Sequence, residues 1–278
     1  MTGLQIRGLT LELGARATPK VILRGIDIDV PAGSITGLAG ESGSGKTMTG
    51  LAVMGLQPAG SRLGGSIALD GPRGRVENLL HLKPRAMNAL RGRDVAMIFQ
   101  DPTASLHPMI TIERQLTDGM KHHLRITGRE AKERAIALLE RVKVPDPATA
   151  LKKYPHQFSG GQLQRIAIAI ALSSEPSVLI ADEPTTALDV TVQAGILRLL
   201  RELCDGLDLA ILLVTHDLGV MSALADTVTV MRFGEVVEQG DRYQVIREPR
   251  SDYTRSLIDA LPRVPTPDIP GLSGTDTH

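Results

Sequence analysis

Apolar residues between Leu4 and Val30 recur with the spacing of extended segments, interrupted by turn signals at Gly14 and Gly25, which predicts an antiparallel sheet. The apolar run Ser34 to Ala39 predicts a buried strand, Met48 to Leu56 a helix, and Val95 to Phe99 a second short strand. From Ala104 to Ala171 the period becomes helical. It is clearest at Arg129 to Val142, where Ala135, Leu138, Leu139 and Val142 share a face. Strand, helix and strand follow at Val178 to Ala181, Val190 to Cys204 and Leu209 to Thr215. That alternation implies parallel strands joined by right-handed crossovers. A short helical segment is expected after Gly240. The tail from Pro262, with prolines at 262, 265, 267 and 270, reads as mobile. The pattern predicts an α/β fold: a parallel-sheet core, an antiparallel N-terminal part and an inserted helical subdomain.

Composition narrows the partners more than the fold. A chain of 278 residues can bury an ample core without staples. Lys plus Arg and Asp plus Glu both number 31, so the net charge is zero and no basic face advertises nucleic acid. The single cysteine, Cys204, lies in a helical apolar pattern and reads as a buried thiol, with no disulfide or Cys-rich metal site within one chain. The N-terminus lacks the pattern of a secretory signal, so a cytoplasmic location is expected. The longest apolar runs fall short of the roughly 20 residues that span a bilayer. Membrane association is therefore expected through a partner.

The chemistry enters between the strand at Ser34 to Ala39 and the helix that follows. Gly40-Glu41-Ser42-Gly43-Ser44-Gly45-Lys46-Thr47 fits GxxxxGK[ST] in the strand–turn–helix context of a phosphate-binding P-loop, with Met48 just beyond. Its glycines let successive N–H groups face phosphate, and the helix N-terminus adds to the field. Lys46 would reach the β- and γ-phosphates, and Thr47 would offer a hydroxyl to Mg²⁺. The apolar strand Val178 to Ala181 ends in Asp182 and Glu183. A buried parallel strand delivers both acids to the edge that carries the P-loop. Asp182 would hold Mg²⁺ or its water ligands, and Glu183 would polarise an attacking water.

Phe158-Ser159-Gly160-Gly161-Gln162 stands before a helix expected at Leu163 to Leu172. Here the sequence resembles the ATP-binding cassette (ABC) family, whose LSGGQ signature it matches with Phe in the first position. In that family the signature of one subunit caps the γ-phosphate bound by the P-loop of another. A second anion nest in one chain is consistent with two chains per nucleotide. Gln100 resembles the Q-loop glutamine, which touches Mg²⁺ or water. Ala187-Leu188-Asp189 resembles the D-loop, with Asp189 also suited to cap a helix, and His216 resembles the switch histidine at the γ-phosphate.

The resemblance implies a P-loop NTPase with a RecA-like parallel-sheet core, an N-terminal antiparallel β subdomain and a helical subdomain at about residues 101–172. The cassette would span 1–261, with an extension over 240–278. Around the P-loop, Gln100 and the signature, the chain is similar to ATPase subunits of dipeptide, oligopeptide and nickel importers. Glu248 to Leu257 resembles the extension of that group, although Ser251 and Asp252 depart from its pattern. The implied protein hydrolyses ATP with Mg²⁺ on the cytoplasmic face of the membrane. Its implied partners are two transmembrane permease subunits, a second ATPase subunit and, indirectly, an extracytoplasmic solute-binding protein. The surface from Gln100 to Met109 would press on the permease. A cassette ATPase acting on DNA or ribosomes is the alternative, but it usually carries tandem cassettes, a long coiled coil or basic segments. No Phe, Tyr or Trp precedes Phe99, so the adenine is expected on aliphatic side chains such as Leu13 or Val21. With Cys204 alone, no iron–sulfur cluster is expected.

Overall fold

In the computed structural model, residues 3–15, 18–71, 73–186 and 188–260 are described, so the proline-rich tail from Pro262 lies outside the described residues. Strands β1 (Gly3–Leu13) and β2 (Lys20–Pro31) pair antiparallel. The chain then enters the core sheet through β3 (Ile35–Ala39) and helix α1 (Lys46–Met54). It returns to the first sheet as β4 (Arg62–Gly71) and β5 (Gly74–Val76), giving the order β2-β1-β4-β5. Helix α2 (Pro84–Leu90) leads to β6 (Val95–Ile98). Between β6 and the next strand lie five helices: α3 (Pro102–Ser105), α4 (Ile112–Leu124), α5 (Gly128–Arg141), α6 (Pro147–Ala150) and α7 (Gly160–Leu172). The core sheet continues as β7 (Val178–Asp182), α8 (Val190–Leu207), β8 (Ala210–Val214), α9 (Leu218–Leu224), β9 (Thr227–Arg232) and β10 (Glu235–Asp241). Helices α10 (Arg242–Arg247) and α11 (Asp252–Asp259) follow.

The six-stranded sheet has the order β10-β9-β3-β8-β7-β6, parallel throughout except for the β9–β10 hairpin. Strands β6 and β8, and β7 as far as Ala181, read as unbroken apolar runs because both faces of the sheet are covered. Alternate residues serve different cores. Ile35, Ala96, Leu179 and Ile211 pack with α4, α5, α7 and α8. Leu38, Met97, Ile180 and Leu212 pack with α1 and the antiparallel sheet. Each fully buried Leu or Ile contributes about 1.5–3 kcal/mol relative to exposure, so neither layer is dispensable. In α5 the buried stripe is Ala131, Ala135 and Leu139, while Leu138 sits at its half-buried margin.

Two local features differ from the sequence expectation. Gly25 makes no turn. It lies inside β2 with φ +88° as the extra residue between Arg24 and Ile26, whose partners Thr10 and Leu9 are consecutive. The positive φ that signals a turn also serves a β-bulge. The signature glycines do not precede a helix but form its first turn. Helix α7 starts at Gly160, with Ser159 as its N-cap accepting from the Gln162 N–H.

Candidate functional site

The loop after β3 is shaped by backbone that only glycine adopts easily. Gly40, Gly43 and Gly45 have φ of +142°, +81° and +107°. A Cβ on Gly40 would stand 2.2 Å from the Met231 carbonyl oxygen, so the P-loop lies directly against β9. Lys46 opens α1 with its side chain buried, and its Nζ donates to the Gly40 and Glu41 carbonyls at 2.6 and 2.8 Å. Burial lowers its pKa, against the carboxylates of Glu183 and Asp182, which raise it.

Strand β7 lies one strand away from β3, with β8 between them, and it brings its terminal acids to the same edge. Thr47 Oγ1 donates to Asp182 Oδ1 at 3.1 Å. Burial pushes the Asp182 pKa up, opposed by this hydrogen bond. One hydroxyl beside one carboxylate suits Mg²⁺, which takes few protein oxygens and completes its shell with phosphate and water. Among the described residues no group of three or more His, Cys, Asp or Glu could hold a metal ion, so this oxygen pair is the donor set to consider.

Glu183 holds a left-handed backbone, φ +47°, with its N–H donating to the Val214 carbonyl. Such a conformation costs a non-glycine residue roughly 1–2 kcal/mol, and strain of this kind concentrates at functional sites. Its carboxylate is the meeting point of three side chains. Gln100 Nε2 donates to Oε2 at 3.0 Å, Thr186 Oγ1 donates to the same oxygen at 2.9 Å, and His216 Nδ1 lies 3.0 Å from Oε1. Burial would raise the Glu183 pKa, but the hydrogen bonds from His216 and Thr186 outweigh it, and the net shift is downward. The carboxylate is therefore ionised at neutral pH.

Ser42, Gly43, Gly45, Lys46, Thr47, Met48, Gln100 and Glu183 line one cleft of about 520 Å³ with Val21 and Phe233. A larger groove of about 850 Å³ near Arg134, Leu172 and Asp208 lies away from these groups and holds none of them. Leu13 is packed against the second core rather than in the cleft, whereas Val21 lines it. The signature does not line the cleft either. Ser159 and Gln162 satisfy each other in a capping box, and a Cβ on Gly161 would stand 2.5 Å from Val192 Cγ1, while Gly160 faces Leu188 at 3.7 Å. Asp189 caps α8 by accepting from the Val192 N–H at 2.9 Å. Ala187, beside it, lies outside the described residues.

The sequence reading missed three contributors. Thr186 shares Glu183 with Gln100 and His216. Tyr253, on α11, accepts the Glu41 N–H of the P-loop on its hydroxyl at 3.2 Å. Phe233, at the tip of the β9–β10 hairpin, reaches the cleft from the far end of the chain. The Tyr-Thr pair of the C-terminal segment was the visible signal for the second; for the third it was an exposed Phe-Gly pair between two apolar runs.

A P-loop at the carboxyl edge of a parallel sheet, with two acids, a glutamine and a histidine converging on it, defines a nucleotide-binding ATPase cassette. The ABC transporter family model matches residues 23–186. An ATP-binding protein of Brucella abortus (strain 2308) named for peptide import is 48% identical over 243 residues, covering 84% of this chain and 71% of that protein. The dipeptide transport ATP-binding protein DppD of Bacillus subtilis (strain 168) is 42% identical over 246 residues, covering 87% and 71%. Among solved structures, the dimeric bacterial ABC transporter cassette MJ0796 superposes with a TM-score of 0.73 at 25% identity, covering 86% of this chain and 98% of that one. CbiO1 of Clostridium perfringens, part of the ABC transporter complex cbiONQ, gives 0.74 at 27% identity, covering 88% and 90%. The chain belongs to the ABC transporter family and is an ATP-binding cassette ATPase of that family.

Proposed function

We propose that this chain is the energising subunit of an importer for peptides, which hydrolyses ATP at the cleft around Lys46 and Glu183 and passes the resulting closure to membrane-embedded permeases. The observation that carries the hydrolytic half is the Glu183 carboxylate, held by Gln100, Thr186 and His216 beside a P-loop lysine. The peptide cargo rests on relatives named for peptide and dipeptide transport.

In this reading the P-loop from Gly40 to Thr47 wraps the phosphates with N–H groups, and Lys46 moves from the Gly40 and Glu41 carbonyls to the β- and γ-phosphates. Ionised Glu183 orients and polarises the attacking water, while His216 and Gln100 fix the carboxylate and report the γ-phosphate. Mg²⁺, held by Thr47 and Asp182 with Gln100 nearby, would neutralise phosphate charge. Ser159, Gly160, Gly161 and Gln162 would present the N-terminus of α7 to the nucleotide of a second ATPase subunit, and Asp189 would lie near that interface. The exposed cap of α7 and the cassette dimer seen for MJ0796 support this arrangement.

The helices from 101 to 172 form the subdomain that moves within a cassette spanning 1–261, and the segment from 240 onward is its extension. Exposed Met109, beyond Gln100, belongs to the surface offered to two permease subunits. Among the described residues no helix is long and apolar enough to cross a membrane, in keeping with a peripheral subunit on the cytoplasmic face. A solute-binding protein outside the membrane would deliver the cargo, and no nucleic acid takes part.

The test is affinity capture of the tagged chain from detergent-solubilised native membranes, combined with Lys46→Ala. Recovery of two multi-spanning permeases and a sister ATPase, with nucleotide binding lost in the variant, is expected. Recovery of soluble or ribosomal partners alone would overturn the transport reading, and undiminished binding by the variant would overturn the P-loop assignment.

A further inference from the structure

Phe233 is the anomaly of the cleft. It is 72% exposed, although it is a large apolar side chain, and its backbone has φ +48°. Gly234 follows at φ +82°, so the hairpin between Arg232 and Glu235 turns in two residues that both need positive φ. Such turns favour Asn-Gly or Gly-Gly, and phenylalanine gains nothing there from the turn itself.

The tip is nevertheless held firmly. The Gly234 N–H donates to the Ser44 carbonyl of the P-loop at 3.0 Å, and the Gly234 carbonyl accepts from the Arg24 N–H of β2 at 2.8 Å. A Cβ on Gly234 would stand 2.2 Å from the Ile22 carbonyl oxygen, so the hairpin lies flat against β2. The Arg232 guanidinium sits 5.1 Å from the Phe233 ring centroid and 4.6 Å from that of Tyr253, bracing the ring from α11. A strained, exposed and braced ring at the rim of a ligand cleft points to the ligand.

From these contacts we infer that Phe233 is the stacking platform for the base of the bound nucleotide, a position supplied from the end of the cassette rather than from the strand before the P-loop. The proposal rests on the nucleotide reading of the cleft. The phosphate-binding groups proposed above, Gly43, Gly45, Lys46 and Thr47, share that cleft with Val21, Ile22, Arg24 and Phe233. What extends there from a triphosphate is a sugar and a flat heteroaromatic base, which gains most from an aromatic face. Val21 then lies beside the base rather than replacing the aromatic surface.

Two variants separate the ring from the fold. Phe233→Asn keeps a turn-compatible residue at positive φ and removes the ring, so its thermal unfolding midpoint should equal or exceed that of the parent chain. Binding of Mg-ATP and of Mg-tripolyphosphate to the purified full chain is then measured by calorimetry. The expected result is a loss of roughly 5- to 150-fold in ATP affinity with tripolyphosphate affinity unchanged. Phe233→Trp introduces the sole tryptophan of a chain that has none, and its emission should respond to ATP and not to tripolyphosphate. An equal effect of Phe233→Asn on both ligands, or a tryptophan that ignores ATP in a chain that binds it, would overturn the assignment of the ring. A parent chain that binds neither ligand would overturn the nucleotide reading itself, and the proposal with it.

Discussion

Replacing Glu183 with glutamine changes one charge while the surrounding geometry can persist. Oε2 accepts from Gln100 and Thr186, so the single oxygen of the amide must remain there. The amide nitrogen then takes the place of Oε1, 3.0 Å from His216 Nδ1, and donates to it in the tautomer that carries its proton on Nε2. All three contacts survive, the left-handed backbone at residue 183 is unaltered, and what disappears is the anion proposed to polarise water. General-base assistance is worth about 10²–10⁴ in rate, or roughly 3–5 kcal/mol of barrier. Nucleotide affinity should hold or rise slightly, because a negative charge has been removed beside a polyanion. Phosphate release is measured on the chain in its native membrane assembly, and equilibrium binding on the purified chain with a fluorescent nucleotide. Turnover within about tenfold of the parent would refute the role of Glu183. A collapse of nucleotide affinity would instead refute the claim that the three contacts survive.

Three further outcomes follow from particular contacts. Gly161→Ala places a methyl 2.5 Å from Val192 Cγ1, so α7 and α8 must separate at a cost of about 1–3 kcal/mol in chemical denaturation. Val192→Ala in the same chain should recover most of that loss, and simple additivity of the two would count against the clash. Burial pushes the Cys204 thiol up to about 11, so at pH 8 only about one thiol in a thousand is ionised. A maleimide should label it on unfolding and scarcely before, and rapid labelling of the native chain would contradict this. Burial acts to raise the Glu238 pKa, but the hydrogen bonds the carboxylate accepts, including those from the Arg250 and Ser251 N–H groups and from Gln244 Nε2, together outweigh it, and the net shift is below the ordinary 4.5. A depressed carboxyl stabilises the fold fully above its unfolded value and loses that contribution as pH falls through the folded one. The stability gap between the parent and Glu238→Gln should therefore be constant near neutrality and close below pH 4.5, and a pH-independent gap would rule this linkage out.

Local chemistry was the legible part. Gly40 to Thr47 is one continuous stretch in which Gly40, Gly43 and Gly45 all take positive φ, so the shape of the candidate phosphate loop is set within eight residues. Asp182 and Glu183 were legible because a buried parallel strand has one exit edge. Long-range pairing was not. Strand β4 completes the first sheet by pairing Ile67 with Ile6, some sixty residues away, and nothing local in Arg62 to Gly71 announces that partner. Gly25 shows the converse, since positive φ is common to turns and bulges and only the register of β1 decides between them. At Phe233 and Gly234 the Phe-Gly pair marks a turn, but the partners that turn touches, Ser44 and Arg24, are about 190 and 210 residues distant in sequence and were not legible.

Those distant contacts bear on how the end of the chain serves the site. The Glu41 N–H, one of the donors of the P-loop, is turned toward the Tyr253 hydroxyl, and α11 is tied to the sheet because Glu238 accepts from Arg250 and Ser251. Arg232 stands between Tyr253 and Phe233, within cation–π distance of both rings. Helix α11 thus contacts the P-loop backbone at Glu41. A P-loop needs its N–H groups fixed before phosphate arrives, since ordering them on binding would be subtracted from affinity. Helix α11 therefore touches the candidate nucleotide site through Tyr253, although the P-loop itself lies some two hundred residues earlier in sequence.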